Sequence, residues 1–323
     1  MILVTGATGH IGNVLIRKLL DQGEKVRALV WRDEDTIPLK GLDVEQMIGD
    51  VLDPYSLEPA MRGVKTVYHL AGIISIMPGR NPFVWRVNVE GTRNVLEAAR
   101  LAGIRRLVYT SSIHAIARAP HGVTMDESLG FDQNNPYGEY DRSKAAASLE
   151  VQKAAAAGLD AVIVCPTGVI GPYDFRGSEM GEVIRSASEA RTVFYVEGAY
   201  DFVDVRDVVK AMILLMKSDI RNERFILNVD NIEYKRLFEL IAAALGKPAP
   251  SIKINPTLSR LAWRVEKLRS MITGIKPLIT RETAHTAVQH YEYSNEKIKK
   301  ELGFEFTPIE ETVGHFCRIF LNG

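Results

Sequence analysis

A tyrosine and a lysine four positions apart, Tyr140 and Lys144, occur in the run GEYDRSK. At the start of a helix, positions i and i+4 share one face, so phenol and ammonium can point into one cavity. A free tyrosine has a pKa of about 10, too high for a base at neutral pH. A nearby cation favours the phenolate and pulls that value down. The pair could serve as a proton donor and its tuner, or be an ordinary solvated tyrosine and lysine. Tyr137 is a poorer candidate, because Asp141 stands at its i+4 position.

A second chemical signal opens the chain. In TGATGHIG the glycines Gly6, Gly9 and Gly12 are spaced three apart, between an apolar run and an amphipathic helix. Glycine at such a turn permits φ > 0 and lets backbone approach a pyrophosphate, and the helix N-terminus offers free N–H groups to it. Thr8, His10 and Ile11 belong to the same cofactor-lining segment; His10 reads as a helix-entry residue rather than a side-chain ligand. No Lys-Ser or Lys-Thr pair follows, so this is not a nucleoside triphosphate loop. Past the second strand the chain reads LVWRDED. Trp31 can stack on adenine and Arg32 can pair with a 2′-phosphate, which favours NADP(H); a register shift would put Asp33 on the ribose and favour NAD(H).

The elements that must position these groups follow from periodicity. ILVT, KVRALVW, TVYHLAG, RRLVYTSS and DAVIVCP read as strands. Helices are expected over IGNVLIRKLLDQG, from about Phe83 to Ala102, and from about Tyr137 to Ala157. Strands alternating with helices imply right-handed βαβ units and a parallel sheet covered on both faces. PTGVIGPYDFRGS reads as loop; strand–helix character returns in AYDFVDVRDVVKAMILLM, and in RFILNVD followed by a helix over Tyr234 to Leu245. The expected fold is α/β, a Rossmann-type doubly wound parallel sheet with a smaller, mostly helical C-terminal substrate-binding part. Residues 1–165 form the nucleotide domain, to which 203–229 return; 166–202 and 230–323 form the substrate part.

Composition narrows the classes. Hydrophobic residues make up 46% and charged residues 25% of 323, the balance of an ordinary globular protein. Forty basic residues offset 40 acidic ones, so no charge excess points to nucleic acid. The two cysteines, Cys165 and Cys317, match no metal spacing and fit a reducing, cytoplasmic setting. No leader is expected ahead of ILVTGATGHIG, and no run of about 18 apolar residues suggests a membrane span. The amphipathic stretch LSRLAWRVEKLRSMI, covering 258–272, is expected to be a lid or packing helix, with a membrane-adjacent role as the alternative.

The ordered set TGATGHIG, GDVLD, HLAG, VNVEGT, YTSS and YDRSK resembles the extended short-chain dehydrogenase/reductase family over essentially the whole chain. Within it, VYTSSI and VNVEGTRNVLEAA look most like the dihydroflavonol 4-reductase and 3β-hydroxysteroid dehydrogenase branch. The resemblance implies that Tyr140 exchanges the proton, Lys144 tunes it and holds the nicotinamide ribose, and Ser112 holds the substrate oxygen. It implies that Asn88 supports the site, Asp50 and Val51 flank adenine, and Leu70, Ala71 and Gly72 line the cofactor path. Pro166 and Val169 belong to the loop that meets the nicotinamide. It also implies a homodimer through the helices of Phe83–Ala102 and Tyr137–Ala157, the second carrying Ala145, Ala146, Ala147 and Ala154 to Ala157 for close approach.

The reaction narrows by absences. Ile113 and His114 follow Ser112 where dehydratases of the family carry an acidic pair, Ile116 and Ala117 stand where epimerases show Tyr-Gly, and Tyr200 stands before DFV where sugar-nucleotide enzymes often have arginine. What remains is carbonyl reduction or secondary alcohol oxidation on a bulky, mostly apolar small molecule. Ile74, His114, Tyr173, Phe175, Arg176 and Ser178 are the candidate substrate contacts. His114 fits a structural loop histidine equally well, and His69 reads as a packed residue. The alternatives are a nucleotide-sugar epimerase or dehydratase, and a non-catalytic dinucleotide sensor, against which Tyr140 and Lys144 count.

Overall fold

The computed structural model describes residues 1–75, 79–120, 122–189, 194–195, 198–229, 231–253 and 291–322. Its centre is strand β1 (Ile2–Thr5), buried at all four positions. Around it lie β2 (Val26–Val30), β3 (Glu45–Ile48), β4 (Thr66–His69), β5 (Arg106–Thr110), β6 (Ala161–Pro166) and β10 (Arg224–Leu227). These form one parallel sheet in the order β10-β6-β5-β4-β1-β2-β3. Chain order reverses between β1 and β4, and a crevice for a ligand opens at the carboxyl ends of strands flanking such a switch.

Helices cover both faces. On one lie α1 (His10–Asp21) and α7 (Val205–Lys217), whose Leu15, Leu19, Met212 and Leu215 share a core with Val4 and Phe225. On the other lie α2 (Pro54–Met61), α4 (Gly91–Leu101) and α5 (Glu139–Ala156), with Leu57, Val95, Ala147 and Val151 packed on Leu3 and Leu107. The long helix expected from Phe83 is interrupted: α3 (Pro82–Trp85) passes through a π turn, Arg86–Glu90, into α4. Single π turns inside helices are frequent at functional sites, and this one carries Asn88. Ala145, Ala146 and Ala147 are buried within the chain itself, and Ala147 packs in the core beneath the sheet.

Beside this sheet lies a second unit. β7 (Gly168–Ile170), β9 (Ala199–Asp204) and β11 (Asn231–Glu233) form a small sheet, and β8 (Phe194–Tyr195) pairs with β12 (Ile252–Lys253). Ile170, Phe202, Leu237 and Phe316 join α6 (Glu179–Glu189), α8 (Tyr234–Ala244) and the helix Ile309–Asn322 in a separate core. The segment read as loop after Pro166 therefore contains a strand. Gly168 permits close approach rather than a turn: a Cβ there would lie 2.7 Å from the Phe202 ring. β3 carried no sequence signal, being an edge strand with no buried face. Residues 258–272 lie outside the described residues.

Asp204 couples the two units. Fully buried, it accepts from the Arg206 N–H at 2.7 Å to cap α7, pairs with the Arg206 guanidinium at 2.6 Å, and accepts from Thr312 Oγ1 at 2.9 Å. Replacing it removes a cap and leaves the Thr312 hydroxyl buried without this acceptor. Asp204→Ala is expected to lower the urea unfolding free energy by about 3 kcal/mol. A change below about 0.5 kcal/mol, the range of ordinary surface substitutions, would show that the junction is not held there.

Candidate active site

The carboxyl ends of β1, β4 and β5 converge. Gly6 leaves β1 at φ 66°, and a Cβ there would lie 2.7 Å from the Leu70 carbonyl carbon and the Ala71 nitrogen. A Cβ on Gly12 would lie 2.1 Å from the Gly6 oxygen. Only glycine lets α1 start this close to the strand and to the segment after β4. Gly9 stands at the N-cap without a side-chain cap, so the first N–H groups of α1 face the crevice uncovered. A dinucleotide phosphate fits such a cradle. His10 opens α1 and bonds the Pro172 carbonyl at 2.9 Å, with burial holding its pKa below the ordinary histidine value. Ile11 packs against the core.

Below the turn a buried polar chain ties β1 to α4. His69 is fully buried, its Nδ1 2.7 Å from Thr5 Oγ1 and its Nε2 3.0 Å from Thr92 Oγ1. The Thr92 hydroxyl donates to the Asn88 carbonyl at 2.6 Å, so its oxygen is left to accept from Nε2–H. The imidazole is then neutral, with Nδ1 accepting from Thr5. Burial, with the Lys144 charge second, pushes its pKa down to about 3. His69 is the packed residue the sequence suggested.

Ser112 follows β5 as the cap of a short turn, Ile113–Ala115, its Oγ accepting from the His114 N–H at 3.2 Å. Lys144 is buried on α5 and donates from Nζ to the Thr110 carbonyl, the end of the same strand, at 2.8 Å. Burial lowers its pKa to about 8. Tyr140, one turn earlier on α5, is half-buried, with its ring centroid 6.0 Å from that of His114. Asn88 donates to Ser143 Oγ at 2.9 Å and to the Ile73 carbonyl at 3.0 Å, and accepts from the Ile73 N–H at 2.7 Å. A Cβ on Gly72 would lie 3.1 Å from Asn88 Oδ1 and 3.3 Å from Lys144 Nζ. The fold thus gathers Gly72, Asn88, Ser112, Tyr140 and Lys144 at one end of the sheet. A phenol, a buried ammonium and a hydroxyl grouped there can move a proton and hold an oxygen anion.

Other nominated residues fall around this centre. Trp31 and Arg32 stand exposed after β2, and no hydrogen bond or ion pair holds the Arg32 side chain among the described residues. Asp50 accepts from the Leu52 N–H at 2.8 Å, Val51 packs 2.7 Å from where a Gly91 Cβ would be, Pro166 ends β6, and Val169 lies half-buried on β7. Ile74 is exposed. Tyr173, Phe175 and Arg176 lie over α1 and the glycine turn, not beside Tyr140: Arg17 stacks 4.4 Å from the Tyr173 ring, and Arg176 bonds Thr8 Oγ1 at 2.6 Å. Ser178 accepts from the Gly181 N–H at the start of α6.

Several contacts had no sequence signal. Ser111 Oγ meets Ser148 Oγ at 2.6 Å, and Ser148 donates to the Lys144 carbonyl at 2.7 Å, clamping α5 to β5. His114 lies 3.0 Å from the Tyr200 hydroxyl and 3.4 Å from Asp141, which also faces Arg118 at 3.4 Å. The Arg118 guanidinium covers the Tyr137 ring at 3.3 Å. Glu34 accepts from Thr8 Oγ1 at 2.6 Å across the glycine turn. These are contacts between residues distant in sequence, or between serines whose spacing is unremarkable.

Comparison with known proteins agrees with this fold. A model of the NAD dependent epimerase/dehydratase family matches residues 2–229. Sterol demethylase protein B of Methylococcus capsulatus is 40% identical over 256 residues, covering 79% of this chain and 78% of that protein. A putative dihydroflavonol 4-reductase of Synechocystis is 33% identical over 324 residues, covering 99% and 94%. The crystal structure of gox2253 superposes with a TM-score of 0.86 at 31% identity, covering 100% of this chain and 98% of that one.

The neutral His69 makes stability depend on pH. Its native pKa of about 3 lies below the unfolded value of 6.5, so the unfolded chain binds more protons between those values. Stability from this residue falls as pH drops through that window. From pH 7 to pH 5 the chain is expected to lose about 2 kcal/mol more than a His69→Gln variant in denaturant titrations. Equal losses in both proteins would contradict a buried neutral imidazole.

Proposed function

The chain belongs to the NAD dependent epimerase/dehydratase family, and from that premise we propose that it is an NAD(P)-dependent oxidoreductase reducing a carbonyl, or oxidising a secondary alcohol, on a bulky and mostly apolar small molecule. The observation that supports this reading best is the burial of Lys144 within the Tyr140, Ser112 and Asn88 group, at the strand ends that flank the glycine turn. The names of two relatives, a sterol enzyme and a dihydroflavonol reductase, favour a fused-ring substrate over a charged one.

A bound nicotinamide supplies or accepts the hydride. Tyr140 gives its phenolic proton to the substrate oxygen in reduction and takes it back in oxidation. Ser112 donates a hydrogen bond to the same oxygen and fixes its direction. The Lys144 ammonium stabilises the phenolate left behind and holds a cofactor hydroxyl. Asn88, locked to Ile73 and Ser143, keeps the segment after β4 in register with α5. Residues 1–165 with 203–229 would carry the nucleotide, and 166–202 with 230–323 the substrate.

NADP(H) is the favoured cofactor in this reading. Arg32 is exposed after β2 and available to a 2′-phosphate. Calorimetry is expected to show tighter binding of NADPH than NADH, and Arg32→Ala should weaken NADPH alone, by about tenfold. A screen of polycyclic ketones and aldehydes with the tighter nucleotide then tests the reaction. Equal loss for both nucleotides, or native preference for NADH, would refute the cofactor assignment; no turnover of any carbonyl would refute the reaction.

A further inference from the structure

The segment from Gly171 to Ser178 leaves the small sheet and crosses the start of α1. Three contacts seat it. Pro172 offers its carbonyl to His10 Nε2 at 2.9 Å, Tyr173 offers its carbonyl to the buried Asn13 side chain at 3.1 Å, and the Tyr173 ring lies over the Arg17 guanidinium. Tyr173 takes φ 65°, a left-handed conformation that costs a non-glycine residue energy, so these contacts must hold it there. The result brings Arg176 to the lip of the glycine turn. Its Nη2 donates to Thr8 Oγ1 at 2.6 Å and pairs with Glu34.

Thr8 stands between Gly6 and Gly9 and is 1% exposed. Its hydroxyl donates to Glu34, so the buried oxygen bonds both a carboxylate and a guanidinium. The Arg176 side chain is 53% exposed, against 17% for Glu34. An ion pair with so exposed a cation is worth little and exchanges readily. A phosphate drawn to the uncapped N-terminus of α1 offers a guanidinium stronger, bidentate hydrogen bonds.

We propose that Arg176 is a ligand for a phosphate of the dinucleotide, with Glu34 as its partner in the free protein. The proposal rests on the dinucleotide reading above and moves Arg176 from the substrate side to the cofactor side. Either the pyrophosphate or a 2′-phosphate presents this chemistry, and the two nucleotides separate them. Glu34 then acts as a competitor: it occupies the guanidinium until phosphate displaces it.

The test is calorimetric titration of NADPH and NADH into the intact chain, Arg176→Ala, Arg176→Lys, Glu34→Gln and the Glu34→Gln/Arg176→Ala double variant. Thermal unfolding of each free protein confirms that it is folded. Arg176→Ala is expected to weaken binding by about tenfold or more, with Arg176→Lys recovering part of the loss. Loss for NADPH alone assigns the 2′-phosphate; loss for both assigns the pyrophosphate. Glu34→Gln is expected to tighten NADPH severalfold, and to have no effect in the Arg176→Ala background, a coupling that loss of a merely structural contact would not produce. Arg176→Ala within about twofold of the intact chain for both nucleotides, or Glu34→Gln acting equally in both backgrounds, overturns the proposal alone. An intact chain that binds neither nucleotide overturns the dinucleotide reading and the proposal with it.

Discussion

A buried ammonium is the constraint around which this structure is arranged. Taking a charge out of water costs several kcal/mol unless partners replace the lost hydration. Lys144 has few: the Thr110 carbonyl at 2.8 Å and the face of the Tyr109 ring, whose centroid is 5.3 Å from Nζ. The cost appears as its lowered pKa. The neighbours that hold α5 against β5 are therefore part of the chemistry. The Ser111–Ser148 contact fixes the register, Asn88 bonds the residue before Lys144, and Gly72 leaves the room that a side chain would take. In the mechanism proposed above, a phenolate on Tyr140, one helical turn away, would be the anion that partners Lys144.

The same economy holds at the other end of the crevice. Gly6 and Gly12 let α1 begin against the end of β1, and the helix N-terminus is left without a side-chain cap. The buried chain from Thr5 through His69 to Thr92 and Asn88 runs beneath both places. A single hydrogen-bonded spine thus links the nucleotide turn to the π turn that carries Asn88. The two halves of the site are joined through buried polar groups that help to satisfy one another.

The sheet and the centre of the site were legible because both are local in sequence. Apolar runs of four or five residues marked β1, β2, β4, β5 and β6, and the i, i+4 spacing of Tyr140 and Lys144 marked one helical face. The glycine turn was legible for the same reason. Edge strand β3 was not, since no buried face imposed a pattern on it. Nor was β7, whose Gly168 read as loop but serves close packing on Phe202. The break at Arg86–Glu90 left no trace in composition. Tyr173, Phe175 and Arg176 were read as substrate contacts because their segment mixes aromatic and apolar residues with a few polar ones, as a pocket for a bulky apolar molecule would. Their place over α1 depends on Asn13, Arg17 and Thr8, about 160 residues earlier.

The central claim is that Tyr140 is the group that moves the proton. The direct measurement is a single turnover: nucleotide-loaded protein mixed with a ketone that the intact enzyme reduces, followed by nicotinamide absorbance. The intact chain should consume the signal rapidly, and Tyr140→Phe, with nucleotide affinity unchanged, should do so at least about 100-fold more slowly, as expected for loss of a positioned acid. A Tyr140→Phe protein that turns over at the intact rate would contradict the account at its centre.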